Sequence, residues 1–141
     1  MQAEILMIGK VQEKPYRTLL DGYLARCQKR ISVDIVPCRD DAEQIKRTEG
    51  KEWIVALDER GKALDSMGFA QWLSGHIHSG RRRLTFCLGG AAGLPETIKK
   101  GAQERLSLSS LTLNHQLALL VLGEQLYRGL SILFGEPYHK P

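Results

Sequence analysis

Three short stretches of this 141-residue chain gather residue types that could hold a small polar ligand, and a fourth could act on one. The first is Leu106 to Gln116, LSLSSLTLNHQ, which places the hydroxyls of Ser109, Ser110 and Thr112 and many backbone amides just ahead of a strongly apolar segment. Donors that the chain cannot satisfy internally suit a polar ligand. The second, Gly89-Gly90-Ala91-Ala92-Gly93, lacks side chains that would keep a ligand from the backbone. Its GGxxG order is neither the dinucleotide fingerprint nor a Walker A loop, for no Lys-Ser/Thr pair follows. The third, Leu57-Asp58-Glu59-Arg60-Gly61-Lys62, ends an apolar run in two acids and a glycine. Asp58 could bind a ribose or serve as a base, or the stretch could be a surface turn, where Asp and Gly are favoured. The fourth is the tail, Tyr138-His139-Lys140. Histidine suits proton transfer and cations suit phosphate or developing negative charge. Arg128 has a plainer reading too: it follows Glu124 by four residues, the spacing of a helical ion pair worth roughly a few tenths of a kcal/mol.

The elements that must position these residues alternate along the chain. Glu4–Ile8, Ser32–Cys38, Glu52–Asp58, Leu84–Leu88 and Arg105–Leu108 read as strands. Between them, Lys14–Lys29 spaces Leu19, Leu20, Tyr23, Leu24 and Cys27 at helical intervals, and Asp40–Arg47, Ser66–His78 and Pro95–Ala102 have helix-start residues. Five βα units of this kind predict a mostly parallel sheet with helices on both faces and ligands outside the carboxyl ends of the strands. The final helix, Gln116–Phe134, carries apolar residues on more than one face (Leu117, Leu119, Leu120, Val121, Leu122, Leu126, Leu130 and Leu133), which predicts a twofold dimer burying it.

Length predicts one domain, residues 1–141. Hydrophobic residues at 43% and charged residues at 26% match a soluble globular chain, and no run reads as a signal peptide, so the expected location is cytoplasmic. Glu124, Gln125 and Arg128 make Leu117–Phe134 a poor membrane span. Cys27, Cys38 and Cys87 are odd in number and far apart, hence packing residues. His76 and His78 read as surface residues, and two histidines without a third ligand make no metal site. A net charge of +4, concentrated in Arg81-Arg82-Arg83 and Lys99-Lys100, permits a polyanionic partner; an arginine triplet alone is usually a solvated face.

Taken in order, these segments resemble one family over nearly the whole chain: the ribosomal large-subunit pseudouridine N3-methyltransferases of the SPOUT class. The matches are Ile8-Gly9-Lys10, Leu57-Asp58 with Gly61-Lys62, Leu88-Gly89-Gly90 with Gly93-Leu94, Leu108 to Leu113, His115-Gln116, Glu124-Gln125, Tyr127-Arg128 and Tyr138-His139-Lys140. The resemblance implies a C-terminal trefoil knot and a homodimer. It implies S-adenosyl-L-methionine as cofactor, held by Leu57, Gly89, Leu108, Ser109, Ser110, Leu111, Thr112 and Leu113. It implies methyl transfer to N3 of a pseudouridine of ribosomal RNA, within the large subunit or the assembled ribosome, with His139, Arg128, Tyr138 and Lys140 as the catalytic group. Three departures stand out. Leu119 and Asn114 occupy positions where the family commonly has arginine and proline, and the segment before Trp53 is short. A missing arginine would weaken RNA binding, with the arginine triplet as a possible offset, and it favours the alternative of a non-catalytic ribosome-binding protein that keeps the fold.

Overall fold

The computed structural model describes residues 1–141 and holds five βα units in strict alternation. They are β1 (Gln2–Ile8), α1 (Lys14–Cys27), β2 (Ser32–Cys38), α2 (Asp41–Thr48), β3 (Ile54–Ala63), α3 (Ser66–Ile77), β4 (Arg83–Leu88), α4 (Glu96–Gly101), β5 (Glu104–Ser107) and α5 (His115–Leu133). The strands form one parallel sheet in the order β2-β1-β4-β3-β5. The α/β class and the placing of each element agree with the sequence.

Alternation along the strands explains the two helical layers, since successive side chains point to opposite faces. Ile5, Met7, Val55, Leu57, Leu84, Phe86 and Leu88 face a core shared with α1, α3 and α5. Leu6, Ile54, Ala56 and Cys87 face a smaller one with Leu94 and Ile98. All three cysteines are buried and unpaired, and burial pushes the Cys27 and Cys87 thiols up to about 12. They are packing residues.

Helix α5 lies between α1 and α3, with Leu119, Leu122, Leu126 and Leu130 closing the main core. One subunit therefore covers half of the apolar residues that the sequence assigned to a dimer. Leu117, Leu120, Val121 and Leu133 remain only half-buried.

Two other expectations change. The Leu57–Lys62 stretch is not a turn: β3 runs on to Ala63 and pairs with β5 on both sides of an irregularity between Leu57 and Lys62. Gly61 is required there, because a Cβ would lie 2.7 Å from the Arg105 carbonyl carbon. His76 is not a surface residue. It is buried, and its Nε2 meets the Glu104 carboxylate at 2.9 Å, alongside the indole N–H groups of Trp53 (2.8 Å) and Trp72 (2.6 Å). His78 is exposed as expected.

Candidate active site

The carboxyl ends of β3, β4 and β5 open onto a cleft of about 430 Å³. Its walls are Leu57 to Arg60, Leu88 to Leu94, Lys99, Leu108, Ser109, Leu111 to Leu113 and His115. Seven of the eight residues expected to hold a cofactor thus meet around one space; Ser110 stands in the same loop but does not line it. The size suits one drug-sized ligand.

The loop after β5 is organised from within. Ser107 Oγ donates to the Ser109 carbonyl at 2.9 Å, Ser109 Oγ accepts from Leu111 N–H at 2.9 Å, and Thr112 Oγ1 donates to Glu59 at 3.2 Å. Two of the three hydroxyls are therefore spent shaping the loop. No backbone-to-backbone hydrogen bond involves residues 108 to 113, so apart from the Ser109 carbonyl and the Leu111 N–H, which side chains satisfy, the peptide groups of this run are left open beside the apolar Leu57, Leu108 and Leu113. An apolar slot edged by free peptide donors and acceptors fits a flat heteroaromatic ring such as adenine.

The glycines serve the chain before they serve a ligand. A Cβ on Gly89 would press into the backbone of Gly93 and Leu94 at 2.5 Å from the Leu94 nitrogen, so the loop closes on itself only with glycine there. Gly93 has φ +83°, a left-handed conformation that side chains disfavour.

Asp58 is committed rather than free. Its Oδ1 accepts from Arg60 N–H at 3.2 Å, and Arg105 stands 3.9 Å from Oδ2. Asn114 caps α5, its Oδ1 accepting from Leu117 N–H at 2.9 Å, which leaves the neighbouring His115 to line the cleft. The sequence names His115 only among the family matches, Lys99 only in a basic run and Arg60 only within the Leu57–Lys62 stretch; the structure sets all three on the cleft wall.

The tail packs elsewhere. The Arg128 guanidinium meets Glu124 at 2.6 Å, and its Nη1 donates to His139 Nδ1 at 3.0 Å. Tyr138 packs edge-on against Tyr127, with ring centroids 4.7 Å apart, beneath the Arg128 cation, and its hydroxyl donates to Glu124 at 3.2 Å. Burial, then the hydrogen bond with Tyr23 and the charge of Glu124, raise the Tyr138 phenol and keep it protonated; the Glu124 hydrogen bond raises Arg128 further above its ordinary range. The Glu124–Arg128 ion pair and the linkage to the tail therefore coexist. None of Arg128, Tyr138, His139 or Lys140 lines the cleft of its own subunit.

Leu119 is wholly buried, so its side chain faces the core and not RNA. The one sequence feature that favoured a non-catalytic protein loses its force. The arginine triplet lies at the amino end of β4, opposite the cleft. Arg81 stacks 3.7 Å from the Trp53 ring centroid, and Arg82 and Arg83 donate backbone N–H groups to Glu52. It offers no offset near the site.

The family model described as "Predicted SPOUT methyltransferase" matches residues 1–139. The chain is 37% identical to the ribosomal RNA large subunit methyltransferase H of Flavobacterium johnsoniae, over 99% of each chain. It is 38% identical to the protein of the same name from Syntrophotalea carbinolica, again over 99% of both. Among solved structures, a Haemophilus influenzae protein described as a "probable methylase family protein" superposes with a TM-score of 0.56 at 10% identity, covering 99% of this chain and 70% of that one. A protein of Bordetella pertussis described as a "probable methyltransferase" gives 0.56 at 13% identity, covering 91% and 95%.

Proposed function

The chain belongs to the SPOUT methyltransferase family, and from that premise we propose that it methylates N3 of a pseudouridine in the ribosomal RNA of the large subunit. One observation carries the reading: full-length likeness to ribosomal RNA large subunit methyltransferases coincides with a cleft formed by Leu57, the Gly89 loop and residues 108 to 113. S-adenosyl-L-methionine, when bound there, supplies an electrophilic methyl group on its sulfonium. Leu57, Leu108 and Leu113 would flank the adenine, and the open peptide groups of 108 to 113 would read its edge. Such an enzyme works where ribosomes are, in keeping with a cytoplasmic location.

N3 of the base carries a proton, and its lone pair attacks poorly until that proton leaves. The reaction therefore needs a proton acceptor and stabilisation of the negative ring oxygens. His139 and Arg128 have the right chemistry, but their present contact sets a condition. Arg128 can only donate, so His139 Nδ1 is the acceptor in that bond and the proton of the neutral ring sits on Nε2. When Arg128 turns to the ring oxygens of the base, Nδ1 is released to take the N3 proton. Tyr138 anchors the tail, and Lys140 would hold a phosphate.

The tail must reach a cleft, and a twofold dimer provides the route. Leu117, Leu120, Val121, Glu124 and Arg128 recur at helical spacing on one half-exposed stripe of α5. Eleven residues, about 16 Å of helix, separate Leu117 beside the cleft from Arg128 beside the tail. Antiparallel pairing of two such stripes would bring the tail of one subunit to the cleft of the other. The trefoil knot follows from the family.

Incubation with labelled S-adenosylmethionine and ribosomes lacking the modification, followed by nuclease digestion and mass spectrometry, tests the reading. A methyl group on N3 of one pseudouridine is expected. Absence of both transfer and cofactor binding would refute it.

A further inference from the structure

We infer that Gln44 of α2 is a positioning residue for the cofactor loop, clamping the carboxyl ends of β1 and β4 where the chain passes from Leu88 into Gly89 and Gly90. The inference rests on the reading that the cleft receives S-adenosylmethionine.

Gln44 is wholly buried, and its Nε2 donates to the Leu6 carbonyl at 3.1 Å and to the Leu88 carbonyl at 3.0 Å. These carbonyls stand at a fork. Met7 and Leu88 are the last residues paired between β1 and β4; β1 continues to Ile8, still paired with Cys38 of β2, and β4 enters the glycine loop. A carbonyl has two lone pairs, so each can accept from the amide alongside a ladder bond, and one side chain then ties the two strands together where β4 leaves the sheet. An amide nitrogen with two hydrogens can serve two carbonyls at once.

The fork supports both ends of the loop. Ile8, the last residue of β1, lies 3.4 Å from where a Gly90 Cβ would stand, and Leu94, at the far end, packs in the same apolar cluster as Leu6 and Cys87. Space-filling alone does not explain the choice of residue. Gln44 Oε1 is buried without a partner, a penalty that methionine or leucine would avoid. The amide earns its place through its nitrogen.

Two variants test this in the full-length protein: Gln44→Met, of similar length with no donor, and Gln44→Glu, of the same shape with at most one donated hydrogen. Calorimetry gives the Kd for S-adenosylmethionine, steady-state assays give KM for cofactor and for ribosomes, and melting reports folding. Gln44→Met should raise Kd and KM for the cofactor about tenfold or more, as displaced ligand-positioning groups do, and leave KM for ribosomes within about twofold. Gln44→Glu should fall between it and the wild type. A lowered melting temperature with cofactor affinity unchanged would show a structural role only and overturn the inference. Where Gln44→Met does not fold, Gln44→Glu decides by the same criterion. Where neither folds, hydrogen exchange on the wild type decides: saturating cofactor should protect α2 together with residues 88 to 94, and protection confined to the cleft loops overturns the inference. Leu111→Glu, at an exposed cleft position, separates this from the underlying reading. If the wild type does not bind S-adenosylmethionine, or Leu111→Glu binds it equally well, the cleft assignment fails rather than the role of Gln44.

Discussion

At the scale of single residues, the contact between Arg128 and His139 bears on the proposed proton transfer, because the guanidinium occupies the nitrogen assigned there as acceptor. His139→Ala should lower kcat by about 10²-fold or more, the usual worth of a positioned proton acceptor, with Kd for S-adenosylmethionine unchanged. Arg128→Lys keeps the charge but not the fork that spans Glu124 and His139, and should lower kcat almost as far. Single-turnover rates on ribosomes with saturating cofactor measure both. The tail and Arg128 were legible in the sequence by type. Gln44 and His76 were not, because a polar residue in a short helix and a histidine near a helix end read as solvated until tertiary packing surrounds them.

At the scale of elements, the sheet is fastened differently at its two ends. The carboxyl end carries loops that glycine makes possible, and Gly89→Ala should raise the cofactor Kd at least about tenfold, since a Cβ there displaces the Gly93–Leu94 backbone. Titration calorimetry checks this. The amino end is pinned by Glu104, which joins β5 to Trp53 ahead of β3 and to Trp72 and His76 of α3. Burial holds His76 below its ordinary 6.5 despite the opposing hydrogen bond of Glu104, and the charge of Arg81 adds to the lowering. The unfolded chain then binds a proton where the folded one does not, so stability rises with pH across the window just below 6.5. For Glu104, burial alone would raise the carboxyl, but hydrogen bonds from Trp72, Trp53 and His76 outweigh it and hold the group below its ordinary 4.5. Its contribution is present above 4.5 and fades as pH falls through the lowered value. Melting temperature should therefore decline in two stages on acidification, and His76→Gln should remove the first. Periodicity placed all ten elements, because alternating apolar residues face two cores. It missed the extension of β3, where the Asp-Glu-Arg-Gly sequence of a turn is recruited into an irregular ladder against β5.

At the scale of the whole molecule, cleft residues and tail residues lie apart within one subunit, and the proposed dimer unites them. Mixing His139→Ala subunits with Leu111→Glu subunits tests this. Each homodimer should be inactive, and a re-equilibrated equal mixture should regain about a quarter of wild-type activity, since half the dimers then hold one intact site of two. Recovery would be absent if each subunit used its own tail. The family and the cleft were readable from ordered motifs. The separation of tail and cleft was not, because only the three-dimensional course of α5 sets the distance between its ends.

The place of α5 in the core bears on how the protein is made. Leu119, Leu122, Leu126 and Leu130 complete the main core, and Gln116 Oε1 accepts from the backbone N–H groups of Gln12 and Glu13 at the start of α1. The fifth helix thus seals the first. Domains usually begin folding from the amino end during translation, but here the core stays open until α5 has emerged from the ribosome. The sheet and its other four helices cannot close the main core without α5, and a truncation at Leu113 should fail to melt cooperatively.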